Sequence, residues 1–499
     1  MKAFSTTALL SQLLSTAYAA NLGKWGGTIK FDLVPVAGAV EPASGQLIVW
    51  SAYKNNTFAI NVENVTQTAV YNPADGSVKH FPVAYTQHDM FCPGISYDFN
   101  GNLVVTGGDT SAATSIFQQG QWQWQKAPSM VLGRGYQSST TLSDGRIFTI
   151  GGSWSGARGG KDGEIWDGTK WSLRRGCAVK PMLTADTQGI FRQDNHAWLF
   201  AWSNASVFQA GPSKAMNWYT MAGTGTTKAA GTRGSDGDAM CGPAVMYDAV
   251  AGKILAVGCS PNYQDSVATT NANLITINGV NTTATVEKLP QMSDARIFGN
   301  SVVLPDGTVF IVGGQALGKP FYDNNSSLIP ELWSPTTKQF TQLATGPTPR
   351  NYHSIAILMP NGTVFVGGGG LCGSCGVRNH FDAQIFSPPY LFQADGVTPA
   401  ARPRITNVST TMRVGSTIVV TLAAGTSTKA SFSLVRLGSS THTVNTDQRR
   451  APLNAVPGEN DTYTITLPSD PGKLLPGYWY LFALYNGVPS VASIVKVTL

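Results

Sequence analysis

Four side chains of this sequence stand fifteen residues before a glycine that closes a short apolar segment. They are Cys92, Tyr136, Phe298 and Tyr352, and the glycines are Gly107, Gly151, Gly313 and Gly367. His353 follows Tyr352 directly. Imidazole and phenolate groups around an open position suit Cu(II), which favours tetragonal sites of nitrogen and oxygen ligands. The shared offset therefore indicates a copper-binding group, if the fold arranges the segments around one axis.

The apolar segments belong to a repeat. Each copy has a turn dipeptide followed by a short apolar strand, and we interpret the strand as the second half of a β-hairpin. Copies end near residues 49, 107, 151, 201, 258, 313 and 367, so their spacing is roughly 44 to 58 residues. Seven copies at this period, with Gly-Gly at many strand ends, resemble kelch repeats and predict a seven-bladed β-propeller.

Propeller geometry gives the offset a functional meaning. The residue that enters the first strand of a hairpin and the residue that leaves the second strand lie at the same end. The four side chains would therefore surround one axis on one face. Trp154, Gln315 and Tyr263 follow strand ends and are predicted to ring the same mouth. No HExxH, GxSxG, Walker or dinucleotide-binding motif is present, which disfavours hydrolases and nicotinamide enzymes.

Beyond about residue 400 the repeat stops and alternating apolar residues begin. Turn dipeptides start at Gly438, Pro457 and Pro476, and about 100 residues of this kind predict an immunoglobulin-like β-sandwich. We therefore expect a signal peptide at 1–19, the propeller at 20–400 and the sandwich at 401–499. His442 lies on a polar hairpin of the sandwich.

The composition agrees with a large all-β protein. Of 499 residues, 54 are glycine, 12% are charged and the net charge is +6. The lysines and arginines are scattered, which argues against nucleic-acid binding. After the N-terminus no run approaches 18 uninterrupted apolar residues, so no membrane association is expected. We expect a monomer.

The N-terminus predicts secretion. An uncharged, mostly apolar run ends in Ala17-Tyr18-Ala19, which is typical of a cleaved signal peptide, so the mature protein is expected to be extracellular. Asn-x-Ser/Thr triplets permit N-glycosylation at residues that include Asn64, Asn204, Asn281, Asn361, Asn407 and Asn460. Cys372 and Cys375 could form a redox pair or half a zinc site, but export favours a short structural disulfide. Cys177, Cys241 and Cys259 cannot be paired from the sequence.

Several stretches resemble galactose oxidase and related copper radical oxidases closely, in the same order. They are residues 88–96, 134–139, 151–156, 194–200, 351–354, 367–372 and 441–450. The resemblance extends from about residue 45 to the C-terminus. About 25 residues separate the predicted cleavage site from the first propeller strand, so the family's N-terminal carbohydrate-binding domain is expected to be missing.

The resemblance implies one copper ion bound by Tyr136, Tyr352, His353 and His442. Tyr136 would be joined to Cys92 by a thioether and form an organic radical cofactor, with Trp154 stacked on the cross-link as a shield. Tyr352 would be the axial ligand and the base. The hairpin that carries His442 would thread up the propeller axis.

The resemblance also implies a sugar pocket and a reaction. The pocket residues would be Phe58, Gln188, Phe191, Arg192, Tyr263, Gln264 and Phe298. The expected activity is oxidation of a primary alcohol by O2 to an aldehyde and H2O2, with the C6 hydroxyl of galactose or galactosides favoured because Arg192 and Trp154 are both kept. Phe191, where the family has tyrosine, could reshape the rim, and aryl or other primary alcohols are the alternative. A non-enzymatic binding module and a glyoxal oxidase are disfavoured.

Overall fold

Seven small antiparallel sheets follow one another along the chain and give way to the two sheets of a sandwich. The computed structural model describes residues 21–59, 63–375, 378–425 and 429–499. Within these ranges the helical elements are one short α-helix, Ile190–Gln193, and the 3-10 turns Lys180–Met182 and Pro389–Leu391. The prediction of an all-β fold, with a seven-bladed propeller followed by an immunoglobulin-like sandwich, is confirmed. The predicted signal peptide lies outside the described residues.

The blades are numbered 1 to 7 in chain order, and their first strands lie nearest the axis, where most of them contact a neighbouring first strand. Blades 1 to 3 consist of Ala37–Val40, Leu47–Trp50, Thr66–Tyr71 and Val78–Val83; of Gly94–Tyr97, Leu103–Thr106, Thr114–Gln118 and Gln123–Ala127; and of Ser138–Thr141, Ile147–Ile150, Gly163–Trp166 and Trp171–Arg174. Blades 4 to 6 consist of Trp198–Trp202, Ser206–Gly211, Ala215–Thr220 and Thr226–Thr232; of Ala244–Asp248, Lys253–Val257, Ala272–Thr276 and Thr285–Lys288; and of Ile297–Val303, Val309–Gln315, Glu331–Trp333 and Phe340–Gln342. A two-stranded ribbon, Ser266–Val267 with Leu317–Gly318, joins loops of blades 5 and 6.

Blade 7 is closed by the beginning of the described chain. Its own strands are Ser354–Leu358, Val364–Gly368 and Asp382–Ser387. The short strands Lys24–Trp25 and Ile29–Lys30 both pair with Asp382–Ser387 and complete the sheet. Two distant parts of the sequence therefore share one blade, which locks the ring without a free sheet edge on that side.

The Gly-Gly signature marks where one blade packs against the next. Gly151 and Gly313 have positive φ angles of 79° and 70°. A Cβ at Gly151 would lie 2.2 Å from the Asp194 carbonyl oxygen, and one at Gly313 would lie 2.0 Å from the Arg350 carbonyl oxygen. Only glycine combines this backbone with so close an approach, so the repeat is a packing requirement.

Two details of the predicted repeat are wrong. Trp198–Trp202 is the first strand of blade 4, because its hairpin turn, with positive φ at Asn204 and Ala205, follows the strand. In blade 7, Ser354 pairs with Gly368, so the residue equivalent to Cys92 and Tyr136 is His353 and not Tyr352. The φ angle of His353 is 69°, close to the 59° of Cys92 and the 66° of Tyr136.

The sandwich buries its core between a four-stranded and a six-stranded sheet. The first contains Ile405–Asn407, Thr417–Leu422, Thr462–Thr466 and Ala455–Pro457. The second contains Thr411–Arg413, Ser493–Thr498, Gly477–Tyr485, Ser431–Arg436, Arg450–Leu453 and Val488–Pro489. Val420 and Ile465 of one sheet and Leu434 and Trp479 of the other are fully or almost fully buried in this core.

One hairpin of the sandwich reaches into the propeller. Its strand Ser439–Thr441 adds to the axial side of blade 1 by pairing with Ala37–Ala39. A buried ion pair between Arg436 and Asp447 closes the base of the hairpin. Gln448 donates to the Ser301 carbonyl of blade 6 at 2.7 Å. These contacts hold His442, the next residue after the strand, near the axis.

Candidate metal centre

The residues that ring the axis are held by hydrogen bonds between blades. The backbone N–H of Tyr136 donates to the Cys92 carbonyl at 2.9 Å, and that of His196 donates to the Tyr136 carbonyl at 2.9 Å. Phe298 and Cys241 are joined in the same way at 3.0 Å. Each of these residues has a positive φ, which turns its side chain out of the strand direction. The blade packing that needs the glycines therefore also positions this ring.

Nitrogen, oxygen and sulfur donors converge on one point. Ligand atoms of Cys92, His353 and His442 all lie within 4.8 Å of one another, and the three residues are buried. The Tyr136 and Tyr352 hydroxyls contact each other directly. Tyr263 donates its hydroxyl to that of Tyr352 at 2.7 Å. The structure thus brings together the five residues that the sequence associated with the copper centre.

Each imidazole has its Nδ1 in a hydrogen bond, which leaves Nε2 as the atom that could bind a metal. The His353 Nδ1 bonds the Gly370 carbonyl, and its Nε2 is buried with no hydrogen-bond partner in the described part of the chain. The His442 Nδ1 is 2.6 Å from the Thr441 hydroxyl, which leaves Nε2 facing the Cys92 sulfur at 3.4 Å. Burial lowers the pKa of His353 to about 3 and that of His442 well below its usual value. Both rings are neutral near pH 7, as a metal ligand must be.

The phenols need a cation to ionise. Burial raises the pKa of Tyr136 and of Tyr352 above the usual phenol value, so both keep their protons in the protein alone. A metal ion at this point would offset the desolvation and favour the phenolates. Two neutral imidazoles and two such phenols form a donor set that fits Cu(II), and the orphaned Nε2 of His353 marks its place.

A thiol and an indole flank the Tyr136 phenol. The Cys92 thiol is fully buried beside the phenol, and its sulfur lies 3.4 Å from His442 Nε2. The Trp154 indole stacks on the Tyr136 ring with centroids 4.7 Å apart and planes inclined by 29°. Ser153, the residue before Trp154, is held by the buried carboxylate of Asp194, which accepts from the Ser153 N–H at 2.9 Å and from the Ser153 hydroxyl at 2.6 Å. The stack is therefore supported from behind.

A cavity of about 390 Å³ opens above the donors. In the described chain its wall consists of Phe58, Tyr136, Trp154, Arg192, Tyr263, Gln264, Pro320, Phe321, Tyr322, Tyr352 and Cys375. The wall is mainly aromatic, with polar groups on the blade 4 and blade 5 side. The cavity thus offers apolar ring faces opposite fixed hydrogen-bond donors, directly over the metal-binding point.

The structure corrects part of the predicted pocket. Phe298 is 1% exposed and packs beneath Tyr352 and Tyr263 instead of facing the cavity. Phe191 and the exposed Gln188 lie at the rim beside Arg192 but do not form the wall.

Gln315 is also buried away from the mouth. It donates to the carbonyls of Leu317 and Lys319 and braces the loop at 317–326.

Two functional positions were missed by sequence reasoning. Phe321 has the place expected of Phe298: it faces the cavity and packs edge-on against Tyr352, with ring centroids 5.1 Å apart. His196 is buried below, 4.6 Å from the Tyr136 ring and 5.3 Å from the His442 ring. From the sequence, the following strand, Trp198–Trp202, was predicted to be the second strand of its hairpin, so the place of His196 near the propeller axis was not recognised. Phe321 lies in a loop with no repeat signal.

The cysteines divide into one disulfide and four thiols. Cys372 and Cys375 form a disulfide, as expected from the sequence for an exported protein. Cys92, Cys177, Cys241 and Cys259 are free and buried. In the described ranges no helix has the length and apolar character needed to cross a membrane.

Comparisons with known proteins agree with this centre. Residues 402–497 match the model of the galactose oxidase-like early set domain, and residues 253–390 match that of the glyoxal oxidase N-terminus. The chain is 50% identical over 492 residues to a galactose oxidase of Gibberella zeae, covering 97% of this chain and 72% of the relative. It is 27% identical to an aldehyde oxidase of Vitis pseudoreticulata, covering 82% of each.

A solved structure is similar over nearly all of this chain. It is described as a novel fungal alcohol oxidase with catalytic diversity among the AA5 family, in complex with copper. The TM-score is 0.92 at 46% identity, covering 96% of this chain and 100% of the other. Identity of this extent is far above what a shared fold requires, and the chain belongs to the galactose oxidase-like family of copper radical alcohol oxidases.

Proposed function

We propose that this protein oxidises the C6 hydroxyl of galactose and galactosides to the aldehyde while reducing O2 to H2O2. The single observation that carries the proposal is the buried donor group beneath a cavity whose polar side presents Arg192. A binding module has no use for a desolvated group of two imidazoles, two phenols and a thiol in which His353 Nε2 has no hydrogen-bond partner among the described residues, because burying such polar groups costs free energy.

The proposed cofactors are one copper ion and a Cys92–Tyr136 thioether that carries a radical. The contact between thiol and phenol supports the cross-link. Burial raises the pKa of the Cys92 thiol well above its usual value, so the free thiol would be protonated and inert. Linking the sulfur to a ring carbon would remove the thiol hydrogen and one ring hydrogen, a two-electron oxidation for which O2, the oxidant of the proposed activity, would be the acceptor. Trp154 would shield the joined ring from water.

Copper, when held by these donors, supplies a Lewis acid that lowers the pKa of the alcohol and an acceptor for one electron. Tyr352 accepts the hydroxyl proton. Tyr136, as a radical, would take a hydrogen atom from the carbon that bears the hydroxyl. Tyr352 and Tyr136 would together remove two protons and one electron, and a bound copper ion would supply the acceptor for the second electron. O2 then gains two electrons and two protons and leaves as H2O2.

The polar wall supports a sugar. The Arg192 guanidinium lies 4.5 Å from the centre of the Tyr263 ring and donates to the Gln264 side-chain oxygen at 3.2 Å. Its Nη1 is buried and has no partner among the described residues. Vicinal hydroxyls of a galactoside can accept from such a fixed donor, while Phe58 and Phe321 cover the apolar face of the ring.

An aryl alcohol is the second candidate. Phe58 and Phe321 are nearly parallel, with centroids 5.8 Å apart and planes inclined by 22°. Half-buried, nearly parallel rings in a cavity wall also suit an aromatic substrate. With such a substrate, however, Arg192 Nη1 would remain without a partner, which favours the sugar.

We further propose that the protein is secreted, N-glycosylated and monomeric. The apolar N-terminal run with its small-residue cleavage pattern and the disulfide between Cys372 and Cys375 support secretion, and the Asn-x-Ser/Thr triplets permit glycosylation.

The test is a peroxide-coupled assay of copper-loaded, oxidised protein with galactose, raffinose, benzyl alcohol, butanol and methylglyoxal. We expect galactose and raffinose to give the highest kcat/KM. Preference for benzyl alcohol would support the second candidate, and preference for methylglyoxal would contradict the proposal.

A further inference from the structure

Two guanidinium groups share one aromatic ring at the rim of the cavity. Arg158 lies 4.9 Å from the centre of the Phe191 ring, and Arg192 lies 5.7 Å from the same centre. Arg158 is exposed and belongs to the loop that begins with Trp154. Stacking on an aromatic ring holds a guanidinium in a fixed orientation and leaves its N–H groups free to donate at the edge.

The rim carries excess positive charge. Among the ion pairs of the described chain, none involves Arg158 or Arg192. Asp265, which follows Gln264, is already paired with Lys319 at 2.8 Å. Arg158 therefore has no ion-pair partner in the described chain, and Arg192 shares the carboxylate of Asp265 with Lys319 at longer range. The Nη1 of Arg192 is buried without a hydrogen-bond partner among the described residues.

Binding of a neutral sugar would explain why hydrogen-bond donors lie at the cavity rim, but it would not explain why an arginine there has no acidic partner. Hydroxyl groups can be bound by amides and by one arginine, whereas unpaired guanidinium groups are strongest toward oxyanions, to which they donate charge-assisted hydrogen bonds. Since the C6 carbon that is oxidised must carry a free hydroxyl, the oxyanion has to lie on another part of the substrate. Arg158 stacks on Phe191 and is not part of the cavity wall, so it is placed for the neighbouring unit.

We propose that Arg158 and Arg192 form a subsite for an oxyanion, so that the preferred substrates are acidic galactosides. The oxyanion, a carboxylate or a sulfate, lies on the unit linked to the oxidised galactosyl residue. This inference rests on the proposed function, because it takes the galactosyl residue to occupy the cavity.

The test compares two disaccharide derivatives that differ mainly in charge. Lactitol joins galactose to a neutral open-chain polyol, and lactobionate joins it to the corresponding carboxylate. We expect kcat/KM at low ionic strength to be about three- to tenfold higher for lactobionate, and the ratio to decrease as salt is added. In Arg158→Gln the ratio should fall toward one.

Arg146→Gln is the matched control, because Arg146 is also a partly exposed arginine of blade 3 but pairs with Asp144. It should keep the wild-type ratio. Equal ratios in wild type and Arg158→Gln, or preference for lactitol, would overturn the subsite.

Calorimetric titration of both compounds into the copper-loaded protein separates the two proposals. Tighter binding of lactobionate that is lost in Arg158→Gln supports the subsite even if neither compound is oxidised, in which case the proposed activity fails alone. Equal affinities with normal oxidation of lactitol overturn the subsite and keep the activity.

Discussion

The metal centre and the cavity rim are built by different means. The side chains of the centre are buried and come from the axial ends of separate blades and from one hairpin of the sandwich, where backbone bonds between blades fix them. The rim residues come from loops and are half-exposed or exposed, as are Arg158, Phe191 and Tyr322. The proposed chemistry therefore depends on the packing of the propeller, while substrate choice depends on loops that can change without disturbing that packing.

The two regions also differ in charge. Burial keeps the imidazoles of the centre neutral and its phenols protonated, so the centre is uncharged until a cation enters. The rim carries the exposed guanidinium of Arg158, which has no ion-pair partner in the described chain, beside the half-buried Arg192. We therefore expect changes in the centre to affect turnover for every substrate, and changes in the rim to separate one substrate from another.

The largest effect is expected from Tyr352→Phe. It removes the base and one oxygen donor but leaves Tyr136, His353 and His442 in place. Turnover should fall by about 10²–10⁴-fold for galactose and benzyl alcohol alike, while copper remains bound. Steady-state kinetics and metal analysis check this, with Tyr85→Phe, an exposed tyrosine outside the cavity wall, as the control. Near-normal turnover would mean that another group takes the proton.

Arg192→Ala should sharpen the contrast. Losing this anchor should lower kcat/KM for galactosides by roughly ten- to hundredfold. The effect on benzyl alcohol should be much smaller. The copper absorption spectrum should not change, because Arg192 is not among the donors. If kcat/KM falls by the same factor for both substrates, Arg192 has a structural role. Substrate choice would then not be separable from turnover at this residue.

A carboxyl pair beneath Phe91 predicts a pH-dependent stability. Burial raises the pKa of Asp109 to about 7, and it also raises the pKa of the neighbouring Asp89 well above its usual value. The folded state therefore holds protons that the unfolded chain releases above about pH 4, so stability falls as pH rises from about 4 to 7. Asp109→Asn should gain about 1 kcal/mol or more relative to wild type over this range. Denaturant unfolding at pH 4.5 and 7.5 measures it; a constant difference contradicts the assignment.

The smallest effect concerns the support of Trp154. Asp194→Asn keeps the size of the side chain but weakens its two bonds to Ser153. We expect the radical of the oxidised protein to decay about two- to fivefold faster, because each bond to the charged acceptor contributes roughly 1–3 kcal/mol. Copper content should stay the same. The decay of the radical absorption provides the measurement, and an unchanged lifetime would show that the stack needs no such support.

Much of the fold was predictable because packing demands leave marks in the sequence. Gly151 and Gly313 must be glycine where blades touch, and this made the repeat visible. The offset from such glycines predicted Cys92 and Tyr136 on one face. In blade 7 the fifteen-residue count from Gly367 gave Tyr352 instead of His353. The strand continues one residue further into the run of glycines, to Gly368, and the sequence of such a run does not show at which glycine the strand ends.

The rim was less predictable. Phe298 and Phe321 are both phenylalanines near Tyr352, but one is buried on an axial strand and the other faces the cavity from a loop. Residue type cannot distinguish these places, because loop paths depend on bonds such as those from Gln315 to the backbone. His196 was missed for a related reason, since its strand has an apolar pattern that fits either position in a hairpin.

The central claim is that the buried centre carries a radical cofactor made from Cys92 and Tyr136. The most direct measurement is the mass of peptides from copper-loaded, oxidised protein, with Cys92→Ser as the control. Our account predicts one joined pair of peptides, lighter by two hydrogen atoms than the sum of the separate peptides, which is absent from the control. Two unmodified peptides from protein with a full complement of copper would contradict it.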